Sequence, residues 1–357
     1  MKSRAPFYLT LALSSLLFAA LSPLGLTLKP SETNFHGVKA KPFEVLSAED
    51  EPNHAEQLEW NNIGIGSTWN SERGEGVTLA VIDSGLDIAH EDFMENGSFL
   101  LSPDSAFVHD PTGRGNYTSA VIAETGLINI RDDDIYDEDY DEYYSHGTAA
   151  SGSALARING AGGNGVAPEA PLLFIKTDFF FNSLERAIRY AADHGADVIS
   201  MSLGAYSENF YDGFDDWQSG DSETATYLQS AIDYAYNKDC VIVAAAGNEK
   251  TSHKSYPACN NHVIGVGALA KNSSTKAAGY SNFNSVSSRP GDNVNVDVAV
   301  TGTVYAPNFD NKTGDSSGYQ ETNGTSFACP ITAGAIALYR SKYPEASNAQ
   351  VEQALFA

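Results

Sequence analysis

The chain has 357 residues, 42% of them hydrophobic, with 17 Phe, 18 Tyr and 3 Trp; that is ample for a large core and excludes general disorder. Its formal charge is −25, from 46 acidic against 21 basic side chains. This sign excludes nucleic acid as a partner and favours solubility, and it says nothing about fold.

Lys2 and Arg4 precede an uncharged run from Phe7 to Leu21, too short for a bilayer span and built like an export signal. Small residues at Ala20-Leu21-Ser22 place a signal peptide over residues 1–22, although Pro23 is an awkward neighbour for cleavage; an uncleaved anchor is the alternative. Export to the outside, or to a periplasm, is therefore expected, with no stable membrane association after cleavage. Residues 23–58 lack a sustained period and read as a short leader or pro-segment, and one domain is expected over 59–357.

Val77–Ile82 is an apolar run ending in Asp83-Ser84-Gly85. Similar runs follow at Leu172–Ile175, Val198–Met201, Val241–Ala245 and Val263–Val266, separated by helical stretches such as Leu184–His194 and Ala225–Asn237. Buried parallel strands alternating with helices are the natural reading: an α/β three-layer sandwich around a mostly parallel sheet. Gly195 supplies a helix stop. In such sheets ligands gather at the carboxyl ends of the strands, which here read Asp83-Ser-Gly, Ser202-Leu-Gly204 and Ala246-Gly-Asn248.

Two short motifs are decoys. Gly160–Gly165 fits a dinucleotide loop but follows no strand, and Gly314–Gly318 fits a nucleophile elbow but sits in a polar stretch; both read as turns. The informative stretch is "NGTSFACPITAGAIALY", residues 323–339, where Ser326 opens a small-residue helix with Pro330 expected in its first turn. Free amides and the positive end of the helix dipole would then face the Ser326 hydroxyl. Taken singly, Ser326 reads as an N-cap, His146 as a structural histidine and Asp83 as a turn-former. Together, in the order Asp83, His146, Ser326, they supply a nucleophile, its base and the carboxylate that orients the base, with Asn248 offering an amide to an oxyanion.

With "VIDSGLDIAHEDF", "SHGTAASG", "GVAP", "VISMSLG", "IVAAAGNE", "YPACNNHVIGVGA", "YSN" and "NGTSFACP" in line from about Trp60 to Leu355, the sequence resembles the subtilisin-like serine peptidases, the subtilases. The resemblance implies a monomeric serine endopeptidase acting on polypeptides: Ser326 attacks, His146 moves the proton, Asp83 orients His146, and Asn248 binds the oxyanion. It implies Ser202, Leu203 and Gly204 as an edge to which extended substrate adds, with Glu249 near the pocket mouth. No catalytic cofactor is implied. A structural calcium is, with Asp92 and Asn159 as ligands. A disulfide between Cys240 and Cys259 follows from the neighbouring strands of the family, leaving Cys329 free; three reduced buried thiols are the alternative.

Several features depart from the family pattern. "KTDFFFNS", Lys176 to Ser183, lacks the glycine-rich stretch that usually forms the opposite edge of the cleft. The leader is short for a folding-chaperone propeptide, Cys329 stands where Ser or Ala is usual, and the chain stops soon after the helix led by Ser347-Asn348. Asp83 and His146 are 63 positions apart, so much of 95–144 reads as an acidic insertion, with Asp132, Asp133 and Asp134 and then Asp137, Glu138, Asp139, Asp141 and Glu142 before the histidine. This run reads as a solvated loop, as a further calcium site, or as a charge that raises the pKa of His146. A catalytically silent peptide-binding homologue is the alternative function; it would have no need of all four catalytic groups.

Overall fold

The β-branched and small-residue runs form the middle of one eight-stranded sheet. The computed structural model describes residues 47–356 except 58, 96–97, 100, 110–117, 122–134, 138–141, 207–221, 286–293 and 311–314. The signal peptide over 1–22, the first part of the leader and the acids Asp132–Asp134, Glu138, Asp139 and Asp141 lie outside the described residues. In chain order the elements are β1 Leu79–Asp83, β2 Ala106–His109, β3 Thr118–Val121, α1 His146–Leu155, β4 Leu172–Thr177, α2 Phe181–Asp193 and β5 Val198–Met201. They continue with α3 Ser222–Asn237, β6 Val241–Ala245, β7 Val263–Leu269, β8 Val298–Thr301, β9 Thr303–Asp310, β10 Asp315–Asn323, α4 Thr325–Lys342 and α5 Asn348–Leu355.

The strand order is β8-β7-β6-β5-β1-β4-β2-β3. Seven strands run parallel, and β3 closes the edge antiparallel to β2. The stretch read as an insertion therefore contributes two strands to the sheet. Its last described part is a small hairpin, Ile135–Asp137 with Glu142–Tyr144, that delivers the chain to His146.

Side chains alternate across the central strands, as the pleat requires. Leu79, Val81, Val243 and Val266 share one buried cluster with Phe327, Ile331 and Ile336 of α4; Ala80, Ile82, Ile199 and Ile242 share another with Leu184 and Ile188 of α2 and Leu228 and Ile232 of α3. Both faces of the sheet are covered, so the central strands are mostly apolar on both sides, and each buried large aliphatic contributes roughly 1.5–3 kcal/mol. The predicted stop at Gly195 is present: its φ is +81°, and the Ala196 amide reaches back to the Ala191 carbonyl at 3.0 Å, closing α2 in a Schellman turn.

Two local expectations change. Ser316 of Gly314–Gly318 lies in β10, paired antiparallel with β9, rather than in a turn. Pro330 is the sixth residue of α4, not in its first turn. Residues 47–57 also pack on the domain, with Ala48, Glu51 and Gln57 buried.

Candidate active site

Asp83 ends β1 and His146 begins α1, and the turn after the strand brings them together. His146 Nδ1 donates to Asp83 Oδ1 at 2.8 Å, and the Ser84 amide donates to the same oxygen at 2.7 Å. Asp83 is completely buried, whereas the His146 side chain retains 23% exposure. The residue types around the histidine follow from this close approach. A Cβ on Gly147 would stand 2.1 Å from the Gly85 carbonyl oxygen, so only glycine lets α1 come this near to the end of β1. Thr148 accepts the Asp87 amide at 2.8 Å, and Ser145 donates to Asn308 Oδ1 at 3.0 Å, tying both sides of His146 to neighbouring segments.

Ser326 is the second residue of α4, and the next residue, Phe327, packs its ring 5.8 Å from that of His146. Pro330 has no amide to give to the Ser326 carbonyl four residues earlier. That carbonyl is taken instead by the Ser202 hydroxyl, at 2.6 Å. Ser326 Oγ in turn donates to the Ser202 carbonyl at 3.4 Å. The proline thus frees a carbonyl that docks the Ser326 turn onto the end of β5.

Thr325, which the sequence reading did not single out, fixes Asn248. Its amide and hydroxyl both donate to Asn248 Oδ1, at 2.8 and 3.0 Å, and its hydroxyl oxygen accepts the Gly247 amide at 3.0 Å. With Oδ1 occupied, Asn248 turns its NH2 the other way. The position a Cβ on Gly324 would take lies 3.5 Å from Asn248 Nδ2 and 3.6 Å from the Ser326 amide nitrogen. Asn248 Nδ2 and the Ser326 amide nitrogen thus lie on the same side of Gly324.

Leu203 is half-buried and Gly204 exposed beyond the end of β5, and Ala205–Tyr206 pairs antiparallel with Ser255–Tyr256. Asn282 Nδ2 donates to Tyr206 Oη at 2.7 Å, to the Ala246 carbonyl at 2.8 Å and to Glu249 Oε2 at 3.0 Å, so a polar network lies against Gly247. In "KTDFFFNS" the chain turns sharply, with Phe179 at φ +61° and Phe180 58% exposed.

The residues around Asp92 test the calcium expectation. Asp92 is completely buried; its Oδ1 accepts the Gly163 amide at 3.1 Å, and its Oδ2 meets no partner among the described residues. Glu51 gives Oε1 to the Gly160 amide at 2.8 Å, and its buried Oε2 is likewise without a partner. Burial raises Glu51 to about 7 and Asp92 well above the usual carboxylate range. Two dry carboxylate oxygens without donors match the chemistry of a hard cation. Asn159 is held by neighbouring backbone. Its oxygen accepts the Ala161 amide and its NH2 donates to the Glu91 and Met94 carbonyls, all at 2.9 Å. Among the described residues, no three His, Cys, Asp or Glu side chains converge on one metal position.

The expected disulfide is absent: all three cysteines are free and buried. Cys240 Sγ points to the Ala196 carbonyl at 3.0 Å and Cys259 Sγ to Asn295 Oδ1 at 3.3 Å, so the two thiols serve different partners. Cys329 faces the Met201 carbonyl at 3.5 Å. Burial pushes the three thiols up, to about 12, 11 and 12 for Cys240, Cys259 and Cys329.

A family model described as the subtilase family matches residues 74–357. An intracellular serine protease from Paenibacillus polymyxa is 30% identical over 326 residues, 88% of this chain and 80% of its own length. Subtilisin NAT from Bacillus subtilis subsp. natto is 31% identical over 291 residues, 79% of this chain and 60% of that protein. Among solved structures, Sphericase superposes with a TM-score of 0.60 at 25% identity, and a protease from Pseudoalteromonas arctica shares the fold with a TM-score of 0.64 at 23% identity; each pairing covers 85% of this chain and 90% of the other.

Proposed function

The chain belongs to the subtilase family of serine peptidases, and from that premise we propose that it is a secreted endopeptidase cutting polypeptides with Asp83, His146, Ser326 and Asn248. The observation that carries this reading is the 2.8 Å bond from His146 Nδ1 to Asp83 Oδ1, in a site where Phe327 packs the base against the nucleophile's helix. With Nδ1–H given to Asp83, Nε2 is left as the base. It takes the Ser326 proton as Oγ bonds to the scissile carbonyl carbon, and the carbonyl oxygen, now negative, accepts from the Ser326 amide and Asn248 Nδ2. His146 returns the proton to the departing amine; a water, activated by the same nitrogen, then releases the acyl group. Buried Asp83 stabilises the imidazolium formed in both steps.

Substrate adds in extended form along Ser202–Gly204. Export rests on residues 1–22, since one relative is itself named an intracellular protease. A calcium held by Asp92 and Glu51 would neutralise two buried carboxylates and takes no part in the reaction. The protein acts as a monomer. Ser326→Ala tests the assignment: hydrolysis of a protein substrate is expected to vanish at an unchanged melting temperature, and near-wild-type turnover would place the nucleophile elsewhere.

A further inference from the structure

Residues Ser47–Gln57 carry no hydrophobic period, yet they are held to the domain at nearly every turn. A capping box at Ser47 opens a short 3-10 turn, and Ala48 is buried in the core. Glu51 reaches into the glycine-rich loop, where its carboxylate takes the Gly160 amide. The Asn53 amide donates to the Gly162 carbonyl at 2.8 Å. Asn164 donates through Nδ2 to the Ala48 carbonyl and to His54 Nδ1, at 3.3 and 3.1 Å, and the His54 ring packs edge-on against Trp69. Gln57 completes the attachment. Its oxygen accepts the Asn164 amide at 2.8 Å, and its nitrogen donates to the carbonyls of Asn164 and Tyr305, at 3.0 and 3.2 Å. Tyr305 lies in β9, whose partner β10 runs directly into Gly324 and Ser326.

We propose that Ser47–Gln57 is a permanent strap of the catalytic domain, so that any N-terminal processing stops at or before Ser47, and that loss of the strap loosens the β9–β10 hairpin leading to the nucleophile. The physical ground is the number of buried polar groups that removal would strand. Without the strap, Asn164 loses the partners of its backbone amide, backbone carbonyl and side chain, the Gly160 amide loses its carboxylate, and the Gly162 carbonyl loses its donor; stranded buried groups of this kind are strongly disfavoured. The strap also excludes water from Trp69 and the glycine-rich loop, which lie beneath it.

N-terminal sequencing and intact mass of the purified, active protein, expressed from the full 357-residue chain, test the boundary. A first residue at or before Ser47 is expected; one beyond Ser47 in an active, folded protein overturns the proposal. Point variants in the full chain test the attachment without depending on processing. Gln57→Ala should speed cleavage of the 47–57 segment by an added protease about tenfold, because it strands buried partners and raises the open population. Glu56→Gln, at an exposed neighbouring position, should not. Equal cleavage rates for the two variants would show that the segment is not held as a strap. Ser326→Ala, introduced into both, removes self-digestion from the comparison.

Discussion

Replacing Thr325 by Val should separate the positioning of Asn248 from the donor itself. Thr325 is completely buried, and Val keeps its shape and its backbone amide, so the 2.8 Å bond to Asn248 Oδ1 survives while the 3.0 Å hydroxyl bond is lost. A net hydrogen bond of about 0.5–1.5 kcal/mol biases the amide orientation by about 2- to 13-fold. Exposed Asn248, held by one donor instead of two, then spends more time with its NH2 away from the oxyanion. The predicted fall in kcat is about 13-fold at most from this cause, with KM little changed, because the oxyanion exists only along the reaction path. The Gly247 amide also loses its acceptor, so a melting temperature lowered by a few degrees is expected. Asn248→Ala should cost more, about 10²–10³-fold, the loss that follows removal of the corresponding donor in subtilisin. Steady-state kinetics on a chromogenic peptide give the comparison, with Thr325→Ser near wild type as the rescue. Adding Thr325→Val to Asn248→Ala should then change kcat no further. Wild-type kcat in Thr325→Val, or a loss confined to KM, would refute the positioning argument.

Gly147→Ala should lower both stability and turnover, since its Cβ would meet backbone at 2.1 Å and push His146 from Asp83; unchanged melting and kcat would contradict this. Burial lifts Glu59 from 4.5 to about 7. Its folded pKa is the higher one, so its stabilising contribution is full below about 4.5 and is lost as pH rises through 7, by at most about 3 kcal/mol. Glu59→Gln should flatten the stability profile across that window; an unaltered slope would reject the assignment. Thiol titration should find three groups on denaturation without reductant and slow reaction in the native state, whereas a single titratable thiol would restore the disulfide. Chelator should lower the melting temperature and calcium restore it, less so in Glu51→Gln; indifference of the wild type to both would remove the cation from the account.

The centre of the sheet was legible because strands buried on both faces are near-continuous apolar runs, which leaves a compositional mark at Val198–Met201 and Val241–Ala245. Asp83, His146 and Ser326 stood out by order and resemblance, and the 2.8 Å contact places the first two together. Thr325 was not readable, because a threonine before a serine does not announce that it holds an asparagine 77 positions away. Segment 47–57 looked like a leader for a related reason: side-chain bonds to distant backbone fix it, and these leave no period. The cysteine pairing failed on side-chain direction. Neighbouring strands bring backbones together, but Cys240 and Cys259 turn to the Ala196 carbonyl and to Asn295. Likewise β10 reads as a polar loop because its partner is a single strand, β9, not the core sheet.

Labelling with a fluorophosphonate probe tests the central claim most directly, since only a serine activated by its base reacts readily at neutral pH. The account predicts one adduct, mapped to Ser326 by peptide mass, abolished in Ser326→Ala and greatly slowed in His146→Ala. A folded, fully processed protein that takes up no probe at Ser326 would contradict it and leave a silent peptide-binding scaffold.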